Sequence, residues 1–183
     1  MEKKRLRKTD WIEAGLAALS ADGPQALKAE PMAAWLGTTK GSFYWHFKDV
    51  PDFHSTILTA WADHATTHLA DALAGETTAP AQLRRLGQIV TEPNHPLCND
   101  PALEPAIRAW ARADAAVAKR LQQVDGERIA LLHGLLSETG ITNPEMARLI
   151  YAANIGMAEM STRDDADNAD SMGSLVDLVL ALS

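Results

Sequence analysis

The sequence predicts an all-α protein of about nine helices, an N-terminal three-helix unit with a helix-turn-helix followed by a larger helical domain. Three observations predict it. Alanine is abundant and β-branched runs are short, so strand signal is nearly absent. Apolar residues recur mostly at spacings of three and four, the period of one helix face. Two short periodic segments within residues 27–48 are broken by Gly37, the spacing of a helix-turn-helix.

The first helix is expected from Thr9 or Asp10, with Asp10 and Glu13 as an acidic capping arrangement. Ile12, Leu16 and Leu19 form its apolar stripe, and Asp22-Gly23-Pro24 ends it. The next segment, LKAEPMAAWLGTTKGSFYWHFK, carries most of the functional information. Leu27, Met32, Ala33 and Leu36 keep helical spacing, Gly37 supplies a residue that tolerates positive φ, and Thr38 or Thr39 can cap the second helix of the pair.

In the helix expected over residues 39–47, Phe43 and Phe47 lie one turn apart and make an inward anchor. Gly41, Tyr44 and Trp45 then point nearly the opposite way, flanked by Lys40, Ser42 and His46. A helix entering a major groove uses such residues. Glycine allows close backbone approach, lysine attracts phosphate or guanine, and aromatic rings pack on sugars and thymine methyls. The competing reading is an aromatic cluster covered by a neighbouring helix. The preceding turn and the basic flank favour DNA.

Lys48-Asp49-Val50-Pro51 starts a long helix, Val50 to Leu73, with Ile57, Leu58, Trp61, Ala65 and Leu69 on one side. This helix is the expected mechanical link between a DNA-binding domain, residues 1–49, and a second domain, residues 50–183. Gly75 to Pro80 reads as a loop, Ala81 to Val90 as a helix, and Glu92 to Pro101 as a proline-rich connection. Helices are expected at Ala102 to Ala111 and at Asp114 to Glu138, where Val117, Leu121, Val124, Leu131 and Leu135 form a stripe interrupted by Arg128. Asn143-Pro144 starts another, with Met146, Leu149, Ile150, Ala153 and Met157 on one face. An acidic linker, Thr162 to Asp170, precedes a last helix from Met172 to Leu182.

The formal net charge of −7 conceals a split. Eight basic against six acidic residues give residues 1–50 a charge of +2, and nine against eighteen give the rest −9. Five of the basic residues fall within Lys3–Lys8, an arm suited to a phosphate backbone. No apolar run reaches about 18 residues and the N-terminus is charged, so neither a membrane span nor a signal peptide is expected. The single cysteine, Cys98, fits a reducing cytoplasm.

From Thr9 to about Leu58 the sequence resembles the TetR family of transcriptional regulators. The resemblance rests on IEAGLAAL, the DGP turn, LGTTKGSFYWHFK and the helix after it. It implies a reader of double-stranded DNA in which Lys40, Ser42, Tyr44 and Trp45 meet bases or the adjoining backbone, with Thr39 and Gly41 beside them and His46 and Lys48 on phosphates. Such proteins usually open the first reader helix with a Ser or Thr that touches phosphate. This chain has Leu27-Lys28-Ala29-Glu30-Pro31 instead, leaving Lys28 as the replacement and Glu30 as a charge that repels phosphate.

The resemblance also implies a homodimer and an unknown small-molecule effector. The last helix carries Leu175, Val176, Leu178, Val179, Leu180 and Leu182, too apolar to face water, and the one before it offers Ala152, Ala153, Gly156 and Ala158 for close approach. Candidate effector-lining residues, without a clear partner in the helical stripes, are Trp61, His64, Leu97, Trp110, His133, Tyr151 and Met157. His64 and His68 have metal-ligand spacing, with His95, Cys98 and Asp100 as possible completions, but a chance HxxxH is the commoner case and neither metal nor cofactor is expected. No phosphate loop, GxSxG or activated Cys/His pair supports an enzyme; GTTKGS fails the glycine spacing. The alternative function is an all-helical protein-interaction module.

Overall fold

The computed structural model describes residues 6–89, 100, 102–164 and 166–182. Among them are nine α-helices, one 3₁₀ turn at Pro24–Ala26 and no strand. The helices are α1 (Lys8–Asp22), α2 (Ala29–Trp35), α3 (Lys40–Tyr44), α4 (Val50–Leu73), α5 (Ala79–Ile89), α6 (Leu103–Ala111), α7 (Ala115–Glu138), α8 (Pro144–Asp164) and α9 (Ala169–Leu180). None is long and apolar enough to cross a membrane. The expected all-α class and the bounds of α4 agree with the sequence reading.

Packing divides the chain into two compact units, Met1–Asp63 with Asn94–Leu121 and His64–Pro93 with Gln122–Ser183. The first unit therefore extends past residue 49. It takes in the first part of α4, α6 packed on α1, and the start of α7. Helices α4 and α7 each carry residues of both units.

In the first unit, α1 begins at Lys8, one or two residues earlier than expected. Arg7, rather than Asp10, precedes it, and the Asp10 carboxylate accepts from the Arg7 backbone N–H at 2.6 Å and from its guanidinium at 3.2 Å. Both bonds run from Arg7 to Asp10; they replace the expected Asp10–Glu13 cap and satisfy a backbone N–H that the helix start leaves open. The buried face also differs. Trp11, Leu16 and Leu19 are buried, whereas Ile12 is only half-buried. Leu27, Met32, Phe43, Phe47, Phe53, Ile57 and Ile107 complete the core of this unit.

Gly15 sits where α1 meets α4. A Cβ there would stand 2.6 Å from Ile57 Cδ1 and 2.9 Å from Phe53 Cζ, both side chains being fully buried. Gly15→Ala should therefore lower the unfolding free energy by about 1–3 kcal/mol, the usual cost of overpacking, despite the better helix propensity of alanine. Chemical denaturation measures this; an unchanged midpoint would mean that the two helices are not this close.

The second unit is built on Leu73, Leu83, Leu86, Ile89, Leu135, Leu136, Ile150, Met172, Val176 and Val179, with α5 laid against α9. Three sequence-level boundaries shift here. Helix α5 starts at Ala79, with Pro80 inside its first turn, where a missing N–H costs nothing. Helix α8 continues to Asp164, into the stretch expected to be a linker, supported by an Arg163–Glu159 ion pair at 2.6 Å one turn apart. Asn168 then donates to the Met157 carbonyl at 2.9 Å, so α9 starts at Ala169 rather than Met172. Arg128, which breaks the apolar stripe of α7, donates to the Tyr151 hydroxyl at 3.2 Å, and that hydroxyl donates to Asp125 at 2.8 Å.

Candidate nucleic-acid interface

Two short helices and a rigid turn build the site. Helix α2 ends at a glycine with φ +61°, a conformation that costs glycine little, and the Thr38 N–H closes back on the Ala33 carbonyl at 2.8 Å. Of the two threonines, Thr39 is the cap of α3; its Oγ1 accepts from the Ser42 N–H over a long 3.4 Å. The helix is shorter than residues 39–47. It runs from Lys40 to Tyr44, and a turn continues through Trp45 and His46 with the Phe47 N–H on the Phe43 carbonyl at 3.0 Å. That turn still delivers Phe47 to the core.

Phe43 and Phe47 hold the segment in place. Phe43 meets the rings of Trp11, Phe47 and Phe53 at centroid distances of 5.6, 5.1 and 5.2 Å, and Phe47 meets Phe53 at 4.7 Å. With these two inward, the opposite face is committed to water: Tyr44 is 48% and Trp45 83% exposed. Tyr44 is nonetheless steadied, since its ring lies edge-on to Phe43 at 5.2 Å. The expectation of an aromatic and polar outer face therefore agrees with the geometry.

Thr39, Gly41, Ser42, Trp45 and His46 come together around a surface hollow of about 400 Å³, which Leu6 also lines. His46 is half-buried, its ring 6.2 Å from that of Trp11. Gly41 has no internal reason to lack a side chain. Its φ is not positive, and a Cβ would meet only Thr39 Oγ1 at an ordinary 3.7 Å.

The cations divide. Lys28, the residue before α2, is exposed and caps nothing with its side chain. Lys48 is exposed, with its backbone N–H on Asp52 at 3.0 Å. Lys8 lies over the Phe47 ring at 5.2 Å. Lys40 does not point freely outward: its ammonium is 2.7 Å from the Glu30 carboxylate. Of the arm Lys3–Lys8, residues 3–5 lie outside the described residues.

Two contacts escaped the sequence reading. His54 Nε2 is 2.9 Å from the Leu27 carbonyl, just ahead of α2, and its ring stands edge-on to Trp110 of α6 at 4.9 Å. Trp35 on α2 is half exposed. The sequence reading gave neither a role: His54 lies past residues 27–48, and Trp35, within them, is not among the residues whose spacing marks a face.

The effector candidates fall in both units. Trp61 and Trp110 are buried in the first unit. His64, His133, Tyr151 and Met157 lie in the second, where Tyr151 is buried against Arg128 and Asp125 and Met157 packs on the core. Leu97 lies outside the described residues, as do His95 and Cys98 of the rival metal constellation. Among the described residues no three His, Cys, Asp or Glu side chains gather as metal ligands would.

No protein-family model and no curated protein matches the sequence. Solved structures do. An inferred TetR-family transcriptional regulator from Rhodococcus sp. superposes with a TM-score of 0.81 at 17% identity, over 94% of this chain and 98% of that one. An inferred transcriptional regulator from Pseudomonas aeruginosa PAO1 gives 0.75 at 20% identity, over 96% and 90%. The fatty acid degradation regulator FadR from Bacillus halodurans gives 0.74 at 16% identity, over 97% of each chain. The chain thus has the TetR-type fold over nearly its whole length.

Proposed function

We propose, starting from that fold, that this chain is a ligand-responsive transcriptional regulator, a repressor that binds a near-palindromic operator as a homodimer through residues 39–47. One observation carries the proposal: the exposed Tyr44–Trp45 face beside Gly41, a glycine whose missing side chain serves no contact inside the protein. Close approach by an outside surface explains it, and a major groove fits the aromatic, hydroxyl and cationic groups around it. Residues 1–49 then read DNA and residues 50–183 bind effector and partner subunit. Exposed Leu149, Met160, Leu178 and Leu182 on and beside α8 and α9 support a self-complementary apolar interface. An effector acts through α4 only to the extent that it binds two conformations unequally.

Gly41→Ala tests this reading because its two effects have opposite signs. Alanine in a helix should raise the unfolding free energy by a few tenths to about 1 kcal/mol. Duplex binding, followed by gel retardation, should weaken by about fivefold or more, the lower end of what one lost contact costs. Retardation should also fall steeply with salt. Duplex affinity that Gly41→Ala leaves intact would take this face out of the DNA contact.

A further inference from the structure

Glu30 and Lys40 are ten residues apart in sequence, yet Oε1 and Nζ meet at 2.7 Å. Glu30 is the second residue of α2 and Lys40 the first of α3, helices packed on each other across the Gly37 turn. The turn's hydrogen bonds, Gly37 N–H to the Ala34 carbonyl at 3.1 Å and Thr38 N–H to the Ala33 carbonyl at 2.8 Å, fix how far apart the two side chains start. The pair lies in the open, with side chains 73% and 53% exposed, so a polyanion that reaches α3 reaches both members. Hydrogen bonding and charge from Lys40 hold the Glu30 carboxyl below its ordinary range, and Glu30 raises Lys40 in return.

We propose that Glu30 is a built-in competitor for the DNA backbone, occupying Lys40 so that a phosphate must displace a carboxylate before this cation contributes to binding. The proposal rests on the nucleic-acid reading above. A neutral pair brings no net charge to the duplex. If Lys40 moves to a phosphate, Glu30 is left uncompensated beside a polyanion and gathers a cation of its own. Binding to arbitrary sequence is almost wholly electrostatic, so the loss of one cation weakens it most. Glu30 thereby lowers affinity for non-target DNA, at the end of α2 where no hydroxyl is present to hold phosphate.

The test uses the full chain and a 24-base-pair duplex of mixed sequence, followed by fluorescence anisotropy between 50 and 200 mM salt. Each phosphate newly neutralised steepens the logarithmic salt slope by about 0.9, so the Glu30→Gln advantage over wild type should grow by about 3.5-fold from 200 to 50 mM. That growth should at least halve in a Lys40→Gln background, because the competitor acts through Lys40. A wild type that binds while Glu30→Gln leaves the slope unchanged overturns the competitor alone. An identical Glu30→Gln gain with Lys40 already removed does the same, since Glu30 would then act by plain repulsion. If neither wild type nor Glu30→Gln binds duplex at 50 mM, the nucleic-acid reading and the competitor are overturned together. Carbon NMR reads the pair itself: the Glu30 carboxyl should titrate at lower pH in wild type than in Lys40→Gln, and equal titration overturns the pairing.

Discussion

Phe43→Ala should lower the unfolding free energy by about 3–5 kcal/mol, the loss expected when a buried aromatic side chain is truncated to alanine. Phe43 is fully buried and touches four other rings: Trp11, Tyr44, Phe47 and Phe53. Edge-to-face pairs of this kind add about 0.5–1.5 kcal/mol each beyond area burial, so removing the hub loses several at once. The three other inward rings come from α1, the turn after α3, and α4, leaving few neighbours able to collapse into the space. Phe43→Leu keeps part of the volume but loses the ring pairs, so it should cost less than Phe43→Ala yet more than about 1.5 kcal/mol, the ceiling for a volume-conserving swap. Chemical denaturation separates the two variants. A Phe43→Ala loss below about 1 kcal/mol, on the scale of an exposed site, would place this ring outside the core. Because Phe43 anchors α3 with its outer face outward, the variant should also lose duplex binding before it unfolds.

Tyr44→Ala should do the reverse. Its ring is about half exposed and rests on one neighbour, so stability should change by no more than roughly 1 kcal/mol. Operator affinity should fall by about 1–3 kcal/mol if the ring meets a base or its sugar. Adjacent residues of one short helix would then show separated roles, Phe43 in stability and Tyr44 in recognition. Tyr44→Phe divides the recognition term further. Retained affinity assigns it to ring packing, and lost affinity assigns it to the hydroxyl. Affinity unchanged in Tyr44→Ala would remove the residue from the reader.

How much of this was legible in the sequence depends on how local the cause is. Gly37 and the spacing of Phe43 and Phe47 act within one turn of chain, and the break, the inward anchor and the outward face all follow from them. The Val50–Leu73 helix was legible because its apolar stripe persists over many turns between clear signals. Helix α1 is different. Trp11, Ala14, Gly15, Leu16, Ala18 and Leu19 are all buried, more than one stripe can account for, so periodicity could not single out Trp11. The identity of the residue facing Gly15 is a property of α4, not of α1.

The Glu30–Lys40 pair was half legible. Glu30 reads from sequence as a charge unsuited to a phosphate contact, but its partner depends on how α2 and α3 pack. The continuation of α8 to Asp164 was hidden because aspartates suggest a linker, while the Arg163–Glu159 pair and the Asn168 bond to Met157 that support the helix and its exit are matters of three-dimensional detail. The effector candidates were chosen by a criterion that one helix cannot decide. A residue without a partner in its own stripe, such as Tyr151, can find one on another helix, as it does in Arg128 of α7.

Selection of bound duplexes from a random pool tests the central claim most directly. A dimeric reader should enrich a two-fold symmetric motif whose half-sites lie about 34 Å apart, or a multiple of that, and Tyr44→Ala should reduce the enrichment. A pool that this protein leaves without any enriched motif would contradict it.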